Sequence, residues 1–125
     1  MKKCKYKDDI ELIFLSLNVK PEREYQFHPT REWRLDWAFL DRMLAVEYEG
    51  MPFRGKSRHT TIGGFSGDCE KYNELALAGW TLLRFNAIHV KSGLAHDQIV
   101  RAIEALEANP GIEKVLNLIS KTGGH

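Results

Sequence analysis

The stretch RLDWAFLDRMLAVEYEG contains four carboxylates, of which Asp36, Glu47 and Glu49 could lie together on two neighbouring strands. Side chains alternate across a β-strand, so Glu47 and Glu49 project from one face of their strand at a spacing of about 6.5 to 7 Å. If two strands form a hairpin about the polar pair Asp41-Arg42, Asp36 faces Glu47 directly on the neighbouring strand. Oxygen ligands at this spacing suit Mg²⁺ or Mn²⁺ rather than zinc.

These acids admit two interpretations. Like charges that face each other on neighbouring strands destabilise a sheet by a few tenths to about 1 kcal/mol, so the cluster indicates a bound cation or a shared proton. The alternative is a set of ordinary solvated acids on the outer face of a hairpin. Apolar residues on both sides of Glu47, and the basic stretch that follows Glu49, favour a functional site.

Several elements must position these carboxylates. Apolar residues at three- and four-residue steps from Asp8 to Leu17 predict an amphipathic helix. A short strand is expected at Tyr25 to Phe27, and the acids fall on two longer strands, Arg34 to Leu40 and Met43 to Glu49. The apolar face of the first long strand is expected to consist of Leu35, Trp37 and Phe39.

The second half of the chain begins with a glycine-rich basic loop that is expected from Gly50 to Gly67. A helix follows from Asp68, its expected N-cap, to Gly79. A strand is expected at Trp80 to Phe85, then a turn around Asn86, and two further helices at Leu94 to Ala108 and Ile112 to Ile119. This order predicts an α/β fold with a mixed central β-sheet flanked by helices, in a single domain that spans residues 1–125.

Composition limits the kinds of partner. The formal net charge of +1 is nearly neutral, so a polyanionic partner would have to be held by local basic patches. Two distant cysteines, and no apolar stretch of membrane-spanning length, indicate a reduced, cytoplasmic protein with no membrane partner. A zinc site built from Cys4, Cys69 and histidines is disfavoured because the sequence has no C-x-x-C and no matching histidine spacing.

Several motifs follow one another in a specific order. The run around the acids is followed by RHTTIGGF and then by DCEKYNELALAGWTLLRF. Together these segments, from about Glu11 to Phe85, resemble the compact PD-(D/E)XK endonucleases of bacteriophages, which are related to the very-short-patch-repair endonucleases. The resemblance implies a restriction-endonuclease-like core and an origin in a phage or another mobile element of a bacterial cell.

The resemblance also implies roles for individual residues. Asp36 stands at the aspartate of the motif and Glu47 at its second acid, while the first helix would contribute Glu11. Glu49 occupies the place of the usual lysine, whose role would pass to Lys71 of the following helix. The implied catalytic residues are Glu11, Asp36, Glu47, Glu49 and Lys71, of which Asp36, Glu47 and Glu49 would bind the metal.

Each of these roles has a structural alternative. Glu11 could be a solvent-facing helix residue, and Lys71 could simply extend along the surface of its helix. Arg84 lies inside a strand, where a charged residue needs a partner, so we expect it to pair with a site acid or with a DNA phosphate. The expected nucleic-acid contacts are Arg54, Lys56, Arg58, His59 and Arg84.

The implied activity is Mg²⁺-dependent hydrolysis of DNA phosphodiester bonds, with Mn²⁺ as a substitute. Branched DNA such as a Holliday junction is the favoured substrate because the short chain leaves little room for a sequence-recognition domain, and such a substrate would favour a homodimer. One alternative is a mismatch- or sequence-directed DNA nicking enzyme. Another is a catalytically silent DNA-binding module on a nuclease fold, which would bind DNA without metal-dependent cleavage.

Overall fold

A computed structural model describes residues 4–50 and 62–122 of the chain. Five helices and four strands occur in these ranges, in the order α1 (Lys5–Ser16), β1 (Glu22–Gln26), β2 (Arg34–Phe39), β3 (Leu44–Tyr48), α2 (Ile62–Leu77), β4 (Thr81–Phe85), α3 (Ala87–Ser92), α4 (Leu94–Ala105) and α5 (Pro110–Thr122). None of the helices in these two ranges is both long and apolar enough to cross a membrane.

The four strands form one mixed sheet in the order β1-β2-β3-β4. β1, β2 and β3 are antiparallel neighbours, whereas β4 joins β3 in parallel after the intervening helix α2. The predicted α/β class with a mixed sheet is therefore confirmed. The pairing of Trp37 with Val46 and of Phe39 with Leu44 is the register expected for a hairpin about Asp41-Arg42.

Helices cover both faces of the sheet, because alternate strand residues enter two separate apolar clusters. The first cluster contains buried residues of α1 and α4, which recur four positions apart as Ile10 with Phe14 and Ala95 with Ile99. These helix residues pack against the sheet residues Trp37, Phe39, Leu44, Val46 and Phe85. In the second cluster, Leu75 of α2 packs with Leu35, Ala38, Leu40, Ala45 and Trp80.

The apolar face expected for β2 is wrong at one position. Trp37 and Phe39 lie in the first cluster, but Leu35 packs in the second. The alternation therefore breaks around Asp36. The β1 residue opposite this break is Glu24, which has a left-handed φ of 50° and is skipped in the pairing of β1 with β2. Such an irregularity turns side chains away from strict alternation and is typical of positions beside functional sites.

Two expectations for the second half of the chain are also wrong. α2 begins at Ile62, so residues 62–67 of the expected loop are helical and Asp68 lies inside the helix instead of capping it. The Asp68 side chain is buried and lines a cleft that residues of β2 and β3 also border. The turn expected near Asn86 begins the short helix α3, because the Asn86 side chain accepts two backbone N–H groups and forms a capping box.

Candidate active site

β2 and β3 separate at one end of the sheet. Their pairing extends to Trp37 and Val46, and beyond that point Oδ2 of Asp36 accepts the backbone N–H of Tyr48 at 2.9 Å. β3 remains paired with β4 here, through Tyr48 and Phe85. A shallow cleft of about 190 Å³ lies at this fork, and the residues that line it are Arg34, Asp36, Glu47, Tyr48, Glu49, Asp68, Lys71 and Tyr72.

The cleft brings together the three carboxylates that the sequence predicted as metal ligands, Asp36, Glu47 and Glu49. Their exposure differs. Glu47 is only 4% exposed, whereas the side chains of Asp36 and Glu49 are 21% and 25% exposed. The alternative of ordinary solvated acids is therefore wrong for Glu47, since a carboxylate buried to this degree needs charged or hydrogen-bonding partners.

Both oxygens of Glu47 are occupied by side chains of α2. Lys71 Nζ donates to Oε2 at 2.9 Å, and the Tyr72 hydroxyl donates to Oε1 at 2.6 Å. Lys71 also donates to the carbonyl oxygen of Arg34 at 2.8 Å, and its side chain is only 13% exposed. Lys71 therefore points into the cleft, and the alternative in which it extends along the helix surface is wrong.

Cations from two other elements face the remaining acids. Lys7 Nζ, on α1, lies 3.6 Å from Oδ1 of Asp36. An Arg84 guanidinium nitrogen, on β4, lies 3.1 Å from Oε1 of Glu49, which is the pairing with a site acid expected for this arginine. Each of the three carboxylates thus has a cationic side chain beside it, so like-charge repulsion alone does not require a bound metal ion here.

Tyr72 joins the two sides of the cleft. Its hydroxyl binds Glu47, while the Arg84 guanidinium carbon lies 4.4 Å from the centre of its ring. Burial is the main cause that raises the pKa of Tyr72 above its ordinary value of 10.0, and the hydrogen bond to Glu47 and the charges of Glu47 and Glu49 add to this shift. Tyr72 therefore remains a neutral hydroxyl that donates to Glu47 at neutral pH.

The donors of the cleft have the chemistry that a hard cation requires. They are carboxylate oxygens, and neither Cys4 nor Cys69 lines the cleft. Within residues 4–50 and 62–122, however, no group of three or more histidine, cysteine, aspartate or glutamate side chains is arranged so that it could hold a metal ion. The donor type thus fits Mg²⁺ or Mn²⁺, while the carboxylates in this structure are turned towards protein cations.

Glu11 does not line the cleft. Its Oε2 accepts a hydrogen bond from Trp37 Nε1 at 2.9 Å, and the same oxygen is paired with Arg23. Glu11 instead borders a larger cavity of about 690 Å³ formed by α1, β1 and the turn between them. The structure therefore does not bring Glu11 together with the other predicted catalytic residues, and it does not leave Glu11 solvent-facing either.

Lys7 contacts the cleft through Asp36, and Asp68 and Tyr72 line it, but none of the three was predicted as a site residue from the sequence. A signal for the first two was present: Lys7 precedes the buried Ile10 by three positions, and Asp68 precedes the buried Leu75 by seven. Both charged residues thus lie on the apolar stripe of their helix, where a charge requires a partner.

The expected basic contacts to nucleic acid fall largely elsewhere. Arg84 is engaged with Glu49, as described above. The other expected contacts lie outside the described residues: Arg54, Lys56, Arg58 and His59.

In comparisons with known proteins, no protein-family model, no curated protein and no solved structure matches the chain significantly.

Proposed function

We propose that this protein is a metal-dependent endonuclease that hydrolyses DNA phosphodiester bonds on a restriction-endonuclease-like core. The observation that carries the proposal is the buried pair of Glu47 and Lys71 in an open cleft that contains two further acids. Apolar residues of similar volume would often stabilise a fold as well as a buried ion pair does, or better. A buried pair at the wall of a cleft therefore favours a chemical role.

The metal ion would be Mg²⁺, with Mn²⁺ as a substitute, held by Asp36 and Glu47 with Glu49 as a further ligand. When bound, it supplies Lewis-acid stabilisation of charge on the phosphoryl oxygens and lowers the pKa of a coordinated water. Asp36 and Glu49 would exchange Lys7 and Arg84 for the metal ion, while Glu47 would keep Lys71 beside it. The repulsion between the three carboxylates would therefore stay low both with and without the bound metal ion.

Lys71 is the side chain proposed to act on the reacting phosphate. Its ammonium group is oriented by two acceptors, Glu47 Oε2 and the Arg34 carbonyl oxygen. A fixed positive charge at this position offsets the negative charge that develops on the phosphoryl group and orients an attacking water. Tyr72 acts as a positioning residue, because its hydroxyl holds the carboxylate of Glu47 in place.

Branched DNA, such as a Holliday junction, is the proposed substrate, and a homodimer is the proposed active form. A symmetric dimer would present two clefts to the two strands that must be cut in a junction. Mismatch-directed or sequence-directed nicking is the other substrate preference that the same chemistry would serve. A cleavage assay that includes all of these DNAs distinguishes them.

A second candidate function is a catalytically silent DNA-binding module on the same fold. The observation that favours it is that the protein itself supplies a cation to each acid of the cleft, through Lys7, Lys71 and Arg84. In this case the acids would have a structural role. The module would bind DNA but would not cleave it when Mg²⁺ is added.

The test is a cleavage assay with labelled linear, single-stranded, flap, mismatched and four-way-junction DNAs, each with Mg²⁺ and with EDTA. Asp36→Asn and Glu47→Gln should each lower the cleavage rate at least about 100-fold, which corresponds to about 2.7 kcal/mol of barrier. The matched control is Asp97→Asn, since Asp97 is an exposed acid of α4 that is paired with Arg101. The control should change the rate by less than about twofold.

Two results would decide against the nuclease proposal. Cleavage that continues at full rate in EDTA, or in Asp36→Asn, would remove the metal and its proposed ligand from the reaction. Binding of DNA with no cleavage under any of these conditions would favour the silent module.

A further inference from the structure

A cluster of lysines and tyrosines borders the cleft on the side of α1. The rings of Tyr6 and Tyr48 are stacked, with centres 6.1 Å apart and an angle of 19° between their planes. The Nζ atoms of Lys5 and Lys91 lie 5.4 and 5.7 Å from the centre of the Tyr6 ring. Together with Lys7, the next residue of α1, which contacts Asp36 at the edge of the cleft, these residues form a surface that we name the lysine–tyrosine patch.

The patch is continuous with the cleft. Tyr48 lines the cleft, and its backbone N–H is the group that Asp36 Oδ2 accepts. Lys7 Nζ lies 3.6 Å from the other oxygen of this carboxylate, Oδ1. A polymer that places one of its phosphates in the cleft would therefore meet the patch with its neighbouring phosphates.

The outer lysines of the patch have no acidic partner in the described part of the chain. Lys5 and Lys91 are exposed, and among the described residues neither forms an ion pair, whereas Lys7 is paired with Asp36. The N-terminus of α1 adds positive potential, because Cys4 provides no side-chain cap there. Asp8 of the same turn is an exposed acid whose full negative charge outweighs this potential, so the attraction for phosphate depends on the lysines.

We infer that the lysine–tyrosine patch binds the phosphates of the DNA strand next to the phosphate that occupies the cleft. Lysine ammonium groups bind phosphates as point charges and release counterions from the DNA. The Tyr6 ring holds two of these lysines by cation–π contacts, which reduces the conformational freedom that they lose on binding. The inference rests on the proposed function, because it assumes that DNA enters the cleft, and it adds a contact surface separate from the basic stretch after Glu49.

The test compares two double variants in DNA binding. Lys5→Gln with Lys91→Gln removes the outer charges of the patch, and Lys20→Gln with Lys114→Gln removes two exposed lysines of other surfaces that also lack ion pairs within the described ranges. Binding to a labelled four-way junction is measured by fluorescence anisotropy in EDTA at several salt concentrations. The patch variant should raise Kd about 10-fold and lower the slope of log K against log [salt] by about 1.8, since each lost phosphate contact removes about 0.9. The control should change Kd by less than about twofold.

A third variant keeps the result interpretable if glutamine disturbs folding. Replacing both lysines of the patch by arginine retains the charge, so the affinity and the salt slope should return to those of the wild type. Equal effects of the patch and control variants on Kd, or an unchanged salt slope in the patch variant, would overturn the inference. The proposed function would still stand in that case if the wild type cleaves DNA. A wild type that neither binds nor cleaves DNA would overturn both.

Discussion

Replacing Lys71 by methionine removes the cation from the buried Glu47 carboxylate while keeping a side chain of similar length. Breaking a buried ion pair at one partner costs about 3–5 kcal/mol, because the other charge stays buried without compensation. Glu47 would retain the hydrogen bond from Tyr72, so we expect a loss near the lower limit, about 3 kcal/mol. For a urea m value of about 1.5 kcal/mol per M, this loss lowers the unfolding midpoint by about 2 M.

A double-mutant cycle isolates the interaction between the two residues. Glu47→Gln removes the carboxylate charge but keeps an oxygen that can accept the Tyr72 hydroxyl. The double variant Glu47→Gln with Lys71→Met has no buried charge at this position, so its free energy of unfolding should recover most of the loss. We expect a coupling energy of at least about 2 kcal/mol from urea unfolding of the four proteins. None of the three variants should cleave DNA at more than about 1% of the wild-type rate.

The exposed pair of Asp97 and Arg101 in α4 provides the control cycle. Its side chains are separated by one helical turn and largely exposed, so their coupling energy should be only about 0.3–0.5 kcal/mol. Additive effects of Glu47→Gln and Lys71→Met would refute the reasoning that the buried pair is held by mutual compensation. Recovery of cleavage in the double variant would refute the chemical role of the pair, even if the stabilities behave as expected.

Three further predictions test other parts of the structure. Tyr72→Phe should lower the free energy of unfolding by about 1–3 kcal/mol, measured by urea unfolding at pH 8. Because folding raises the pKa of Tyr72 above 10.0, the hydroxyl stabilises the fold below that pH and loses its contribution as the pH rises further. The difference in stability between the wild type and Tyr72→Phe should therefore be smaller at pH 11. Glu11→Gln should keep cleavage within about threefold of the wild type in the same DNA assay, because Glu11 binds Trp37 outside the cleft, and a 100-fold loss would contradict this placement. Gly67→Ala should stabilise the fold by about 0.5–1 kcal/mol in thermal unfolding, since Gly67 lies inside α2 and no atom of the described residues lies within 4 Å of an added Cβ. A lowered Tm would contradict a helix at this position.

The positions of the strands and the register of the central hairpin could be predicted because both depend on local pattern. Alternation of apolar and polar residues specifies which strand residues are buried, and a short polar turn then specifies which residues face each other. This reasoning placed Glu47 beside Asp36, and the observed pairing of Trp37 with Val46 has the same register. The same local pattern could not reveal the break at Leu35, because it arises opposite a left-handed residue of another strand, Glu24.

The start of α2 shows the limit of local propensity. Gly63, Gly64 and Gly67 each disfavour a helix by about 1 kcal/mol relative to alanine, so the sequence indicated a loop up to Asp68. In the folded chain these positions are helical, and Asp68 faces the cleft. Helix propensity is a weak preference, and the buried residues of α2, Asp68 and Leu75, lie after these glycines in the same helix.

By itself the sequence determined which acids lie on neighbouring strands, because residue alternation and hairpin register are properties of a few adjacent residues. Only the tertiary structure decided which cations those acids meet. Lys71 and Glu47 are 24 residues apart, and they meet because α2 packs on one face of the sheet. Lys7 reaches Asp36 from α1, and Glu11 of the same helix is directed to Trp37 and away from the cleft. Contacts of this kind depend on how whole helices dock on the sheet, which no local pattern specifies.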